Sequence, residues 1–77
     1  MDLAIEHELK GERAASLGRA GAALDRALAA WREAPSAATT NEAQKRLWYL
    51  IVQREALGLR RHREVYELYA VPKSWWY

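Results

Sequence analysis

The spacing of apolar residues predicts a chain built from helices, and prolines divide it into segments. Residues 2–34 contain no proline, are rich in alanine and repeat large apolar side chains at helical intervals. Pro35 disfavours helical backbone in the residue before it. We therefore predict a first helix over about residues 2–34, with Asp2 as a candidate N-cap.

Small residues occupy one side of helix 1 near its middle. Ala14, Gly18 and Ala22 recur at every fourth position, and Gly21 lies beside them. Each glycine costs a helix roughly 1 kcal/mol relative to alanine, so a compensating packing gain is expected. We predict that a second helix crosses closely here, and the alternative is that the glycines only weaken helix 1.

The longest continuous apolar run, residues 47–52, could form a buried strand or part of a helix. Its flanks, residues 42–46 and 53–57, consist of strong helix formers and favour the helix. A helix would turn these side chains toward two different sides and would need two packing partners. The first set is Leu47, Leu50 and Ile51, and the second is Trp48 and Val52.

Turn and capping residues set the limits of helix 2. Residues 34–38 have the composition of a short hairpin turn, and Thr39 with Glu42 has the spacing of a capping box. Gly58 is suited to stop a helix at its C-terminus. We predict helix 2 over about residues 40–57, antiparallel to helix 1.

A third, shorter helix is predicted over about residues 60–69, followed by an aromatic tail over residues 72–77. Pro72 prevents the helix from continuing. The side chains expected to face inward are Val65, Leu68 and Tyr69.

These elements predict one all-α domain over residues 1–77, a long antiparallel helical hairpin plus a short third helix. At 1.5 Å per residue, helix 1 would be about 50 Å long and helix 2 about 27 Å long. The overhang, which carries Leu3, Ile5 and Leu9, needs cover from helix 3 or from a second subunit. We predict a homodimer with a four-helix core. The predicted interface residues are Leu24, Leu28, Trp31, Leu47, Trp48, Leu50, Ile51 and Val52.

Composition restricts the cellular compartment and the kinds of site that we expect for the protein. The absence of cysteine excludes disulfides and thiolate metal sites and makes the cytoplasm the default compartment. No apolar run approaches the ~20 residues that span a bilayer, so we expect no membrane association. Residues 1–12 carry four acids against one lysine, a charge of −3, whereas residues 44–63 carry six basic residues against one acid, a charge of +5. The two segments should attract each other.

No arrangement typical of catalysis or metal binding is found. Glu6, His7 and Glu8 are adjacent, but adjacent helical residues point in different directions. Neither His7 nor His62 has a glutamate three residues before it, as the di-iron helical bundles require. There is no cysteine nucleophile and no glycine-rich loop after a strand. We therefore expect no enzyme activity, no cofactor and no metal.

An arginine cluster, formed by Arg54, Arg60, Arg61 and Arg63, supports nucleic-acid binding as an alternative function. It lies between aromatic residues, and a pI of about 9.2 suits phosphate binding. Glutamates at pairing distance and the net charge of only +2 weigh against it. The predicted nucleic-acid contacts are Arg54, Arg60, Arg61 and Arg63.

Three aromatic residues, Trp75, Trp76 and Tyr77, end the chain. They could pack over the small core. They could also remain exposed as an anchor for a protein partner, since Trp and Tyr concentrate binding energy at interfaces. The sequence leaves both interpretations open.

Four segments form a pattern over most of the chain: Glu12 to Gly21, Leu47-Trp48, Val52 to Arg60, and Tyr69 to Pro72. This pattern resembles a family of short bacterial all-helical proteins of unknown function. The resemblance implies a bacterial source and a small helical fold, and it supplies no catalytic residue. The aromatic ending departs from the expected pattern.

The sequence thus predicts a non-enzymatic interaction or structural module. It would act through homodimerisation and through an unidentified protein partner, in the cytoplasm. Nucleic-acid binding through the arginine cluster is the alternative.

Overall fold

The computed structural model describes residues 3–77, with side chains from Ala14 onward. Helices α1 and α2 pack against each other, and no strand occurs in this part of the chain. The predicted all-α hairpin with a short third helix is therefore confirmed. The elements are α1 (Leu3–Glu33), α2 (Ala37–Ala56), α3 (Arg63–Leu68) and a 3₁₀ turn at Lys73–Trp75.

The inner faces of α1 and α2 form an apolar core. Residues 63–77, which we call the C-terminal segment, cover this core on a third side. Leu24 and Leu28 of α1 and Leu47 of α2 are fully buried. Burial of each such side chain contributes about 1.5 to 3 kcal/mol. The other core residues are Ala27, Ala43, Leu50, Ile51, Val65, Tyr66 and Val71.

α2 begins three residues earlier than predicted, because Ser36 and not Thr39 is its N-cap. The Ser36 Oγ accepts a hydrogen bond from the Thr39 backbone N–H at 3.1 Å, and the Thr39 Oγ1 accepts one from the Ser36 N–H at 2.9 Å. Glu42, predicted to complete the cap, is bound instead by the Arg46 guanidinium, with Nε to Oε1 at 2.7 Å. The hydrogen bond from Arg46 lowers the pKa of the Glu42 carboxyl.

α2 ends at Ala56, one residue before the predicted end, and the glycine predicted to stop it follows the C-cap Leu57. Gly58 has a φ of +84°, a left-handed conformation that glycine adopts without steric cost. Its N–H donates to the Glu55 carbonyl, and the Leu59 N–H donates to the Arg54 carbonyl. These two hydrogen bonds form a Schellman motif.

α3 ends in the same pattern of hydrogen bonds, but with alanine in the left-handed position. Ala70 has a φ of +52°. Its N–H donates to the Glu67 carbonyl, and the Val71 N–H donates to the Tyr66 carbonyl. The turn directs Val71 into the core, where it is 5% exposed. An L residue costs roughly 1 to 2 kcal/mol in this conformation.

α3 is shorter than the predicted residues 60–69 and begins at Arg63. Arg54 from α2 holds the preceding residues in a non-helical path. Its Nη2 donates to the Arg61 carbonyl at 3.0 Å, and its Nε donates to His62 Nδ1 at 3.3 Å. These contacts join the end of α2 to the start of α3.

The inward side of α3 differs from the prediction at one residue. Val65 is buried and Tyr69 is half-buried, but Leu68 is 77% exposed, and Tyr66 is buried in its place. The side chains of His62, Val65, Tyr66 and Tyr69 follow helical spacing along one side. Leu68 lies outside that stripe, so its predicted inward position is wrong.

The predicted close helix crossing at the small residues of α1 is also wrong. A Cβ built on Gly18 would meet none of the described atoms within 4 Å, and one on Gly21 would lie 2.5 Å from the Tyr69 hydroxyl oxygen. A tyrosine side chain, and not a helix backbone, therefore uses the space beside Gly21. Gly18 borders an open groove of about 350 Å³ between α1 and α3.

α1 extends past the end of α2. The longest dimension of the molecule, 48 Å, is close to the ~46 Å expected for a helix of 31 residues. Ser16 donates to Gln53 Oε1 at 3.0 Å near the end of α2, so the first turns of α1 lie beyond it. The predictions for Asp2, Glu6, His7 and Glu8, and for the cover over Leu3, Ile5 and Leu9, lie outside the described side chains.

Replacing Ala70 with glycine should raise the free energy of unfolding by about 1 kcal/mol, because the strain of a Cβ in left-handed backbone is removed. Gly58→Ala is the matched control, since it adds a Cβ at the equivalent position of α2 and should lower that free energy by about 1 kcal/mol. Urea unfolding followed by circular dichroism measures both. A less stable Ala70→Gly variant would contradict the strain assigned to this residue.

Candidate interaction surface

The side of α2 turned away from the core exposes large apolar side chains. Trp48, Tyr49 and Val52 keep 49%, 41% and 44% of their surface exposed. The ring centroids of Trp48 and Tyr49 are 5.4 Å apart, with the planes tilted by 52°. Trp48 and Val52 thus point away from the core, on the second side that the helical pattern predicts.

Two oppositely charged residues flank this apolar patch on the same side of α2. Lys45 lies three residues before Trp48 and Glu55 three residues after Val52, with side chains 50% and 53% exposed. At 3.6 residues per turn, these four side chains lie within an arc of about 80°. We call them, together with Tyr49, the outer face of α2. The sequence prediction missed Lys45, Tyr49 and Glu55, although the spacing of three, four and three residues is visible in the sequence.

Most of the predicted interface residues lie instead inside the single chain. Trp31 is half-buried, with its ring centroid 4.7 Å from that of Trp75. Trp31 and five further residues were predicted to contact a second subunit. This prediction is corrected, because the C-terminal segment of the same chain covers that side of the hairpin. The five that are at most 4% exposed are Leu24, Leu28, Leu47, Leu50 and Ile51.

The aromatic tail packs on the core. The Trp76 ring stacks on that of Tyr66, with centroids 5.0 Å apart and planes inclined by 20°, and its Nε1–H donates to the Val71 carbonyl at 3.0 Å. The backbone N–H of Tyr77 donates to the Tyr66 hydroxyl at 3.2 Å, while its side chain is 66% exposed. Of the two interpretations, packing therefore applies to Trp75 and Trp76, which are not free partner anchors.

The four arginines of the alternative function are only partly available. Arg54, Arg60 and Arg61 line one open groove at the end of α2. Arg54 donates to the Arg61 carbonyl, and Arg63 Nε donates to Glu67 Oε1 at 2.9 Å, as the four-residue spacing predicts. The side chains of Arg60 and Arg61 are exposed and form no ion pair with the side chains from Ala14 onward.

Acidic side chains and His62 are scattered among the described residues. No group of three or more histidines, aspartates or glutamates among them could hold a metal ion. The His62 ring lies between two α2 side chains, with Nδ1 accepting from Arg54 and Nε2 3.3 Å from Glu55 Oε1. Within the described part, no helix has the length and apolar character needed to cross a membrane.

A protein-family model matches nearly the whole chain. A family described as a family of unknown function (DUF6665) matches residues 2–75. The chain belongs to the DUF6665 family. No curated protein and no solved structure shows significant similarity to it. The predicted resemblance to an uncharacterised family is confirmed, and the matched region of the DUF6665 chain reaches into the aromatic tail.

Alanine substitutions in the tail of this DUF6665 protein should distinguish the packed Trp76 from the exposed Tyr77. Trp76→Ala should lower the free energy of unfolding by about 2 to 3 kcal/mol, because it removes the stacking on Tyr66 and the hydrogen bond to Val71. Tyr77→Ala keeps the backbone hydrogen bond to Tyr66 and should cost less than about 0.5 kcal/mol. Thermal and urea unfolding test this, and equal effects would contradict the packing described.

Proposed function

We propose that this DUF6665 protein is a non-enzymatic helical interaction module that acts through homodimerisation and partner binding. One observation carries the proposal, namely the adjacent exposure of Trp48, Tyr49 and Val52 on the outer face of α2. Contiguous exposed apolar side chains on a small protein mark interaction sites. We propose that the protein acts in the bacterial cytoplasm, because of its sequence resemblance and its composition.

The size of the outer face suits a reversible association. Aromatic side chains bury ~150 to 250 Å² when fully covered, so two half-exposed rings and a valine offer a small interface. Such an interface falls below the ~1,200 Å² at the low end of stable complexes, and we expect a dissociation constant in the micromolar range. Leu24, Leu28 and Leu47 are buried within one chain, so the burial of these residues does not require a second copy.

Charge introduced on the outer face should abolish self-association. We expect Trp48→Glu to be monomeric where the unchanged protein is dimeric, because a carboxylate would replace the central apolar contact and would be costly to bury. Leu68→Glu is the matched control, since Leu68 is also a large exposed apolar residue but lies on α3. This control should still dimerise. Sedimentation velocity between about 10 and 500 μM, a range chosen around micromolar affinity, measures both.

Two results would count against this proposal. A monomeric unchanged protein at the top of that concentration range would remove homodimerisation. A dimer that survives Trp48→Glu but is lost in Leu68→Glu would move the interface from α2 to α3. Circular dichroism of each variant controls for loss of folding.

A second candidate function is nucleic-acid binding, favoured by the exposure of Arg60 and Arg61 beside Arg54. The double variant Arg60→Ala, Arg61→Ala should then lose affinity for a labelled duplex or single strand. Arg63→Ala is the control and should retain most of it, since Arg63 is already paired with Glu67. Binding should weaken with added salt, because phosphate contacts release counterions. Absence of binding at low salt would remove this candidate.

A further inference from the structure

We propose that two copies of the chain pair through the outer faces of α2 in an antiparallel orientation, so that Lys45 of each copy lies opposite Glu55 of the other. This inference rests on the proposed homodimerisation and names its geometry. The partner of the outer face is a second copy of this chain.

The spacing of four of the outer-face residues along α2 is symmetric about residue 50. Lys45 and Glu55 lie five residues before and after residue 50, and Trp48 and Val52 lie two residues before and after it. A two-fold axis beside residue 50 therefore brings each of the four residues opposite a different member of the set. An isologous interface requires this kind of self-complementary patch.

The charges at the two ends of the outer face favour the antiparallel orientation. An in-register parallel pair would place Lys45 against Lys45 and Glu55 against Glu55, and like charges repel. The antiparallel pair replaces these contacts with two equivalent Lys45–Glu55 pairs. Within one chain, Lys45 Nζ lies 3.4 Å from Glu42 Oε2, and Glu55 Oε1 lies 3.3 Å from His62 Nε2. The side chains of Lys45 and Glu55 nevertheless remain about half exposed. Each can therefore accept an additional partner from the second copy.

The sizes of Trp48 and Val52 also favour the antiparallel orientation. The antiparallel pair places the large Trp48 ring against the smaller Val52 in both layers, whereas a parallel pair would bring two tryptophans together and two valines together. Alternation of large and small side chains across facing positions lets two helices interdigitate. The four residues also have the three-four-three spacing of a coiled-coil seam.

Engineered cysteines test the orientation directly, because the chain has no cysteine of its own. In the antiparallel pair, residues 45 and 55 of different copies face each other, whereas residues 45 and 45 are about 15 Å apart along the axis at 1.5 Å per residue. A disulfide needs Cα atoms within about 7 Å. A mixture of Lys45→Cys and Glu55→Cys chains, oxidised with glutathione disulfide, should form a linked heterodimer. Each variant alone should link at least about fivefold less.

A control variant excludes random collision. Lys73→Cys, an exposed lysine of the tail, mixed with Glu55→Cys should link no more than either chain alone. Efficient linking of Lys45→Cys with itself would overturn the antiparallel orientation. Equal linking in the Lys73 control would also overturn it.

Charge reversal gives an independent measurement. Lys45→Glu should raise the dissociation constant about tenfold, since the symmetry makes one substitution change two contacts. Lys45→Glu combined with Glu55→Lys should restore it to within about threefold of the unchanged protein. Failure of the double variant to recover would overturn the pairing.

Sedimentation and cross-linking together distinguish loss of the dimer from a dimer with another orientation. A sedimenting dimer without the mixed disulfide would overturn the antiparallel geometry and leave homodimerisation standing. A monomer in sedimentation would overturn both.

Discussion

The packing of the C-terminal segment onto the helical hairpin is the interaction on which the rest of the structure depends. Two helices alone leave their shared apolar face open on one side. Tyr66, Val71 and Trp76 supply the missing side. Arg32 of α1 holds this segment in place, since its Nη2 donates to the carbonyls of Tyr69 at 2.8 Å and Ala70 at 3.2 Å.

Closure within one chain changes what a second chain could do. If the hairpin had remained open, dimerisation would have been part of folding, and the two could not be separated. Here Leu24, Leu28 and Leu47 are covered without a partner. Trp48, Tyr49 and Val52 stay exposed on the opposite side of α2, so the proposed association would be separate from the folding of this core.

Local chemistry made much of the fold predictable, and contacts between distant residues account for what was missed. Pro35 and Gly58 act through their own backbone preferences, so both helix ends could be located from the sequence. Ser36 and Thr39 can both cap a helix, and only the path of the turn after Pro35 decides between them. Helical spacing from Val65 allows either Tyr66 or Leu68 to face inward beside Tyr69, and the stacking of Tyr66 on Trp76, ten residues later, favours Tyr66.

The outer face is connected to the closed core by a continuous series of contacts. Glu55 lies 3.3 Å from the ring of His62, which is almost wholly buried between α2 and α3. The His62 ring meets Tyr66 edge-on, with centroids 6.3 Å apart, and Tyr66 stacks on Trp76. The His62 contact thus links one end of the outer face of α2 to the aromatic side chains that close the core.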